Sequence, residues 1–440
     1  MLCLPRMGED SVQSEVTVIG GGLAGLGVSL HLAKAGFLVA CIEPDADLTK
    51  VVGESLDWSA PDLLRAVGLT MDHLIGERAA TYKKHVTLKL GTGCDRNYVP
   101  SDWLGRPPFN VELKTLHVDR VRLDEELRRK VLEHGVKLYQ DKVTQVEADG
   151  RRVLAANTAG GRRFTSQWFV DASGSGTVLP RLFQLPVDEY GPRKVAMWTH
   201  FAVPESSEGT TLYADGANPP YLNWTWEIPI RPDAISVGYV ATGDTIKAQR
   251  QRGRSNESIF RSQLALFPRF QEFLETHSVI SPFVTSFQCR VHRGVAGPNW
   301  LVIGESASMV DPMTSNGVTA ALRHAEEAAE LLVRSRHREQ LPRVASAMYC
   351  RRVRDLGRFF NSGIENVIYE WPIRSRIGPL AAGDVYTVPA WSLNHLYTRF
   401  RPRGVVGTFL FGFVLRALRA SCEIYAAFSR RRSAACEAAA

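Results

Sequence analysis

The sequence predicts an α/β fold, and three observations predict it. A β-branched strand, a glycine turn and a helix follow one another from Val16 to Ala35; longer alternating strands begin near Val195; and an apolar strand of parallel type returns at Trp300-Leu301-Val302-Ile303-Gly304. The first domain is therefore discontinuous, a sheet-rich lobe is inserted into it, and the chain ends in a helical segment.

The opening unit carries the chemistry. Val16, Val18 and Ile19 make a short strand, Gly20, Gly22 and Gly25 form a G-x-G-x-x-G turn, and Leu26 to Ala35 continue as a helix. Gly20 permits the tight turn, Gly22 lets a pyrophosphate approach the backbone, and Gly25 lets helix and strand pack closely. The helix N-terminus presents free N–H groups and the positive end of its dipole to the phosphates. Phe37 to Ile42 form a second strand, closed by Glu43 about 20 residues beyond the turn, where an acid binds ribose hydroxyls. This is a Rossmann-like dinucleotide-binding unit. Its carboxylate would repel a 2′-phosphate, so FAD or NAD is favoured over NADP.

Taken in order, residues 1–14 read as a polar leader, 15–80, 116–190 and 290–335 as the dinucleotide-binding domain, 81–115 and 191–289 as a substrate domain, and 336–440 as a helical C-terminal segment. Tyr82 to Leu90 reads as one strand, with Lys83, His85, Thr87 and Lys89 on one face and Val86, Leu88 and Leu90 on the other. The polar face suits either a ligand cavity or solvent. Residues 116–140 read as an amphipathic helix ended by Gly135 and then a strand, and Asp149-Gly150 joins two further strands. Trp168 to Gly174 is a buried strand ending in small residues, including Ala172, which suggests close backbone approach to a ligand. Tyr221 to Ile230 and Ala234 to Ala241 are strands of the second lobe, Asn256 to Glu275 is helical, and a helix follows from about Gly317.

Composition restricts the function classes. The net charge of +7 comes from arginines spread along the chain and clustered after residue 335, without zinc-ligand spacing or a helix-turn-helix signature, so nucleic acid is not an expected partner and no metal site is predicted. Seven cysteines without C-x-x-C spacing, and no secretory signal before Val16, read as reduced thiols in a cytoplasmic protein. Gly404 to Leu415 is apolar, but Arg416 and Arg419 interrupt it after 12 residues, where a spanning helix needs about 20. It suits packing on the main body or, with Arg430, Arg431 and Arg432, peripheral contact with an anionic membrane.

The motifs together resemble the two-domain FAD monooxygenases: the glycine turn, the run Asp119-Arg120-Val121-Arg122-Leu123-Asp124, Asp171-Ala172-Ser173-Gly174, and the late Gly304-Glu305. The resemblance implies that FAD is the cofactor, that Arg120 supports its phosphates, and that Gly304-Glu305 stands where the family's G-D pair binds ribose. A narrower resemblance is to flavin-dependent halogenases of the tryptophan-halogenase type. They carry W-x-W-x-I-P, and this chain has Trp224-Thr225-Trp226-Glu227-Ile228-Pro229; Gly53-Glu54-Ser55 is similar to their G-E-[AS] segment near the flavin, and Asp311 to Gly317 to their D-P-x-x-[ST]-x-G loop. Trp224 and Trp226, at i and i+2 of a strand, would form an aromatic substrate wall.

In such halogenases reduced FAD and O2 oxidise a halide, and a lysine ammonium aims the hypohalous acid at an aromatic carbon. The lysine's position falls on Thr87 here, so Lys89, two residues on and on the same strand face, is the substitute candidate, with Lys83 behind it. Thr314 replaces the glutamate of the tryptophan halogenases, which implies an aromatic substrate other than free tryptophan, either a small molecule or one bound to a carrier protein. A separate flavin reductase is the implied partner. Four alternatives stay open: hydroxylation of an aromatic or lipidic substrate, modification of a tryptophan in a partner protein, reduction of a lipid as in geranylgeranyl reductases, and FAD binding without turnover.

Overall fold

The computed structural model describes residues 11–44, 52–91, 95–107, 110, 113–214 and 219–437. A seven-stranded sheet organises the first domain. Its central strand, Ser11–Ile19, runs parallel to Val39–Glu43 on one side and Arg163–Asp171 on the other, and Trp300–Val302 joins Arg163–Asp171 in parallel. Val16, Val18 and Val170 are fully buried, as expected of a parallel sheet covered on both faces. The helices Leu23–Lys34 and Gly317–Ser335 lie against each other, and Gly27 sits where a side chain would press on Ala325. Both helices begin at one end of the sheet, where the strands deliver their C-termini.

An eight-stranded sheet forms the second lobe, in the order Ser308–Met309, Phe283–His292, Val187–Ala202, Ala234–Thr242, Trp224–Arg231, Gly209–Ala214, His85–Leu90 and Asp95–Tyr98. One face packs on Phe260, Phe267 and Phe270 of the helical stretch that follows it. Its opposite face, carrying Trp198, Trp224 and Trp226, packs on the C-terminal helices.

Several sequence expectations are corrected. The strand Ser11–Ile19 begins inside the supposed leader of residues 1–14, because Ser11–Ser14 pair with Arg163–Ser166. Tyr82 to Leu90 is two strands: Ala80–Lys83 pairs with Thr115–Val118, whereas His85–Leu90 joins the large sheet. The break falls at Lys84, whose amide turns to the Glu208 carbonyl. Asn256 to Glu275 is two helices, Asn256–Leu264 and Gln271–Thr276, interrupted at Pro268 because proline cannot donate into a continuing helix. The strand Ser308–Met309 belongs to the second sheet although residues 290–335 read as the first domain. Of the seven cysteines, Cys3 and Cys94 lie outside the described residues.

The C-terminal segment forms a roof. After Arg343–Ile364 and a π-helical turn, Glu365–Tyr369, come the helices Trp371–Ile377, Pro379–Phe400 and Val405–Glu437. Asn394 of the roof donates to Asp57 (2.7 Å) and Asn316 (3.1 Å) and accepts from Arg323 (2.6 Å). That triple contact ties the roof to both edges of the cavity below it.

Candidate functional site

A cavity of about 380 Å³ runs from the glycine turn to the roof. At one end it is bordered by Gly22, Gly53, Arg120, Ala172, Glu305 and Gly317, and at the other by Val86, Leu88, Trp224, Trp226, Met313 and Trp391. The first end is built for an anion and the second for an apolar ring.

The glycine turn gives each glycine a separate reason. Gly20 has φ +105°, and a side chain there would strike the Ala172 carbonyl at 2.3 Å; at Gly25 it would lie 1.8 Å from the Gly20 carbonyl oxygen. At Gly22 a Cβ meets no protein atom within 4 Å, so that position opens on the cavity. The helix Leu23–Lys34 has Gly22 as its N-cap, without a side-chain cap and without an acid in its first turn. Helix Gly317–Ser335 is likewise uncapped by a side chain and acid-free at its start. Two helix N-termini therefore keep N–H groups and positive dipole ends for one ligand. Glu43 accepts from the Gly21 amide and sits at the rim of the turn, not among the cavity residues. Gly304 has φ +59° and packs on Ala24, where a Cβ would approach the Ala24 methyl to 2.7 Å.

Arg120 is held by Asp124 at 3.1 and 3.2 Å and donates to the Val52 carbonyl at 2.6 Å. This fixes the guanidinium at the cavity edge. Glu305 borders the cavity from a solvent-exposed position, and desolvation by the surrounding protein raises its pKa, with Arg290 opposing. Glu54 borders the cavity, but its carboxylate is taken by His200 (2.8 Å) and Ser236 (3.1 Å), and Ser236 accepts from the Trp226 indole at 3.1 Å. Glu54 thus locks Trp226 in place.

Trp224 and Trp226 lie on one strand face with ring centroids 5.6 Å apart. Gly238 on the neighbouring strand leaves room for the Trp226 indole, which a Cβ there would meet at 2.1 Å. Trp224 donates to the Tyr369 hydroxyl at 2.8 Å, and Tyr369 donates to Asp311 at 3.0 Å. Asp311 corrects the expectation of a cofactor ligand: its side chain is fully buried and points into the core, 3.2 Å from the Lys194 ammonium. Lys194 also lies 3.2 Å from Glu365 and 4.2 Å from the Tyr369 ring centroid. Burial works against the Lys194 charge, yet Asp311, Cys289 and Glu365 hold its pKa above the ordinary lysine value. Asp311 is the anchor of the loop that carries Thr314, Ser315 and Gly317 to the cavity.

The lysines also differ from expectation. Val86, Leu88 and Leu90 border the cavity, so alternation puts Lys89 on the outer face, 45% exposed and 4.0 Å from Asp95. Lys83 lies on a different strand and is fully buried. Its Nζ donates to the Leu56 carbonyl at 2.8 Å and sits 5.2 Å and 5.9 Å from the ring centroids of Trp58 and Trp391. Burial lowers its pKa to about 7, with Asp57 opposing.

Lys83, Thr81, Thr115 and His117 share one face of the small sheet, since Lys83 pairs with Thr115 and Thr81 with His117. The Thr81 hydroxyl donates to the Pro229 carbonyl, so it accepts from His117 Nδ1 at 3.3 Å. His117 Nε2 then accepts from Thr210 at 2.8 Å, Thr210 from Ser55 at 3.0 Å, and Ser55 from Ser315 at 3.2 Å. Burial, then the nearby Lys83, push the His117 pKa well down, so the imidazole is neutral and can accept. Sequence reasoning missed Lys194, Glu365 and His117. The signal for Lys194 was its place, next to Arg193, at the head of the apolar run Val195-Ala196-Met197-Trp198. Among the described residues no cluster of three or more His, Cys, Asp or Glu could hold a metal ion.

The chain is 29% identical to a tryptophan 2-halogenase of Chondromyces crocatus over 72% of its own length and 60% of the relative's. It is 28% identical to a 1H-pyrrole-2-carbonyl-[peptidyl-carrier protein] brominase of Pseudoalteromonas luteoviolacea over 72% of this chain and 77% of that one. The crystal structure of the flavin-dependent brominase Bmp2 superposes with a TM-score of 0.66 at 21% identity, covering 98% of this chain and all of that one, a likeness of fold. The tryptophan halogenase family model matches residues 108–356, more than half of the sequence. The chain belongs to the tryptophan halogenase family.

Proposed function

We propose that this protein is an FAD-dependent oxidoreductase that uses reduced flavin and O2 to halogenate an aromatic substrate. The observation that carries the reading is the continuity of one cavity from the open position at Gly22 to the wall of Trp224 and Trp226. FAD fits the residues present: two helix N-termini without acids suit its pyrophosphate, and the Arg120 guanidinium stands at the same edge. Reduced FAD supplies the electrons that activate O2 for oxidation of the halide.

The protein's own contribution is positioning and exclusion of water. Trp224 and Trp226, held by Tyr369 and Ser236, give a planar substrate a rigid apolar wall. Lys83 does not reach the chamber, and we assign it to positioning the segment Gly53-Glu54-Ser55, through Leu56, and the Trp391 ring. Its amine, with a pKa near neutrality, donates a hydrogen bond as the ammonium and lies behind Trp391, which borders the chamber. The hydroxyl series that ends on the neutral His117 Nε2 fixes the orientation of Ser315 at the cavity border. A small aromatic substrate, free or tethered to a carrier protein, and a separate flavin reductase complete the reading; the carrier-bound pyrrole of the Pseudoalteromonas brominase supports the tethered form.

One observation favours hydroxylation as a second reading: among the described residues, no lysine borders the cavity. Anaerobic reduction by NADPH, followed by air, halide and a panel of phenols, indoles and pyrroles, separates the two. Halogenated product that requires an added flavin reductase supports the first. A mass gain of one oxygen without halide, after reduction by NADPH alone, overturns it.

A further inference from the structure

The helix Val405–Glu437 leaves an apolar face uncovered. Its inner face is committed to the protein: Thr408 and Leu415 are buried, Thr408 accepts from Arg352 at 3.1 Å, and Gly412 abuts Asp355. On the outer face Val406 is 71% exposed, Leu410 64% and Phe413 67%. These positions are spaced i, i+4, i+7, one stripe of a helix, and Phe409 and Val414 widen it. Phe400, 73% exposed, stands at the end of the preceding helix. Exposed apolar residues gathered on one helix mark an interaction surface, unlike single exposed side chains.

Charge identifies the partner. From Arg399 to Arg432 the chain carries eight arginines, Arg399, Arg401, Arg403, Arg416, Arg419 and Arg430 to Arg432, against a single carboxylate, Glu423. Within the protein Arg401 and Arg403 pair with Glu326, Arg416 with Asp355 (3.8 Å) and Arg419 with Glu423 (3.5 Å), so the charge offered to headgroups comes from Arg399, exposed beside Phe400, and from the run Arg430 to Arg432. An apolar stripe within a basic segment matches a bilayer with anionic headgroups.

Val405–Ile424 is long and apolar enough to cross a membrane, but it does not have to be surrounded by lipid to bury its outer stripe. Arg351, Arg352 and Asp355 lie along its inner face, and hydrocarbon would strand those charges. The helix therefore lies in the plane of the surface.

We infer that the outer face of Val405–Ile424 docks this protein peripherally on anionic phospholipid bilayers. The same helix packs against Glu365–Tyr369, whose Ile368 borders the cavity, so docking brings the roof of the site to the lipid boundary.

The test is co-sedimentation of the full chain with vesicles of phosphatidylcholine alone or mixed with phosphatidylglycerol. The protein is expected to pellet with the mixed vesicles and not with phosphatidylcholine. Leu410→Glu with Phe413→Glu, both at exposed positions and checked for folding by circular dichroism, is expected to weaken binding by roughly tenfold or more. Three results overturn the inference: a folded wild-type protein that pellets with neither vesicle, a double variant that pellets unchanged, or a wild-type dimer in light scattering that the double variant converts to monomer. The measurement needs neither flavin nor substrate, so it stands or fails separately from the halogenation reading.

Discussion

The Lys83 ammonium donates to the Leu56 carbonyl at 2.8 Å, and that bond ties a fully buried lysine to the segment that carries Gly53, Glu54 and Ser55 to the cavity. The two residues lie on different strands and loops, and the contact encloses the amine beneath Trp58 and Trp391. A lysine so placed is poised between charge states at neutral pH.

Lys83→Met should lower halogenation through the Leu56 segment and Trp391 that it holds in place while leaving FAD bound, whereas Lys89→Ala should leave both intact, because Lys89 is on the outer face of its strand. Product analysis and flavin absorbance on the two purified variants check this. Halogenation by the Lys83 variant at the wild-type rate would remove this positioning role.

The same burial sets a pH dependence. The folded-state pKa of Lys83 is lowered to about 7, below its unfolded value, so the unfolded chain binds more protons above pH 7 and stability rises with pH there. Below pH 7 the buried ammonium carries its full desolvation cost. Wild type should gain roughly 2 kcal/mol relative to Lys83→Met between pH 7 and pH 9. Urea unfolding at both pH values measures the difference.

How far the site could be read from the chain depends on the range of each interaction. The glycine turn was legible because its constraints are local: Gly20, Gly25 and the Ala172 carbonyl meet through short segments and an adjacent parallel strand. Trp224 and Trp226 were legible because a strand has period two. Asp311 was misread because a motif shows where the backbone passes, not which way a carboxylate turns; its direction is set by Lys194 and Tyr369, far away in sequence. Lys89 failed for a similar reason. The polar face of its strand turns outward because the roof helix, with Trp391 and Tyr386, closes the other face, and nothing local in Tyr82 to Leu90 shows that roof.

Gly22→Val should lose FAD without losing the fold. The added side chain starts in open space, with no protein atom within 4 Å of its Cβ, and fills the approach to the helix N-terminus. Gly25→Ala should instead fail to fold, because its Cβ would fall 1.8 Å from the Gly20 carbonyl oxygen. Circular dichroism and flavin content separate the two cases; a yellow, fully loaded Gly22→Val protein would contradict the assignment of the turn.

Lys194→Met should destabilise the protein by about 3–5 kcal/mol, because Asp311 and Glu365 are then left buried without their cation. Adding Asp311→Asn to Lys194→Met should restore part of that loss, since one uncompensated charge is gone. Equilibrium denaturation of the two variants decides it, and a double variant no better than the single would mean that the loop does not depend on this pair.

Gly238→Ala tests the aromatic wall without touching a polar group. Its Cβ would fall 2.1 Å from the Trp226 indole, so the ring must move, and the open direction is the cavity that Trp226 borders. The indole would lose its hydrogen bond to Ser236 and intrude on the chamber. Overpacking of this kind costs about 1–3 kcal/mol. The expected result is substrate binding weakened roughly tenfold, with FAD affinity unchanged because Gly22, Arg120 and Gly317 lie at the other end of the cleft. Titration of flavin and of an aromatic substrate into the same variant reads the two ends separately. Loss of both together would show that the second sheet, and not the wall alone, had shifted.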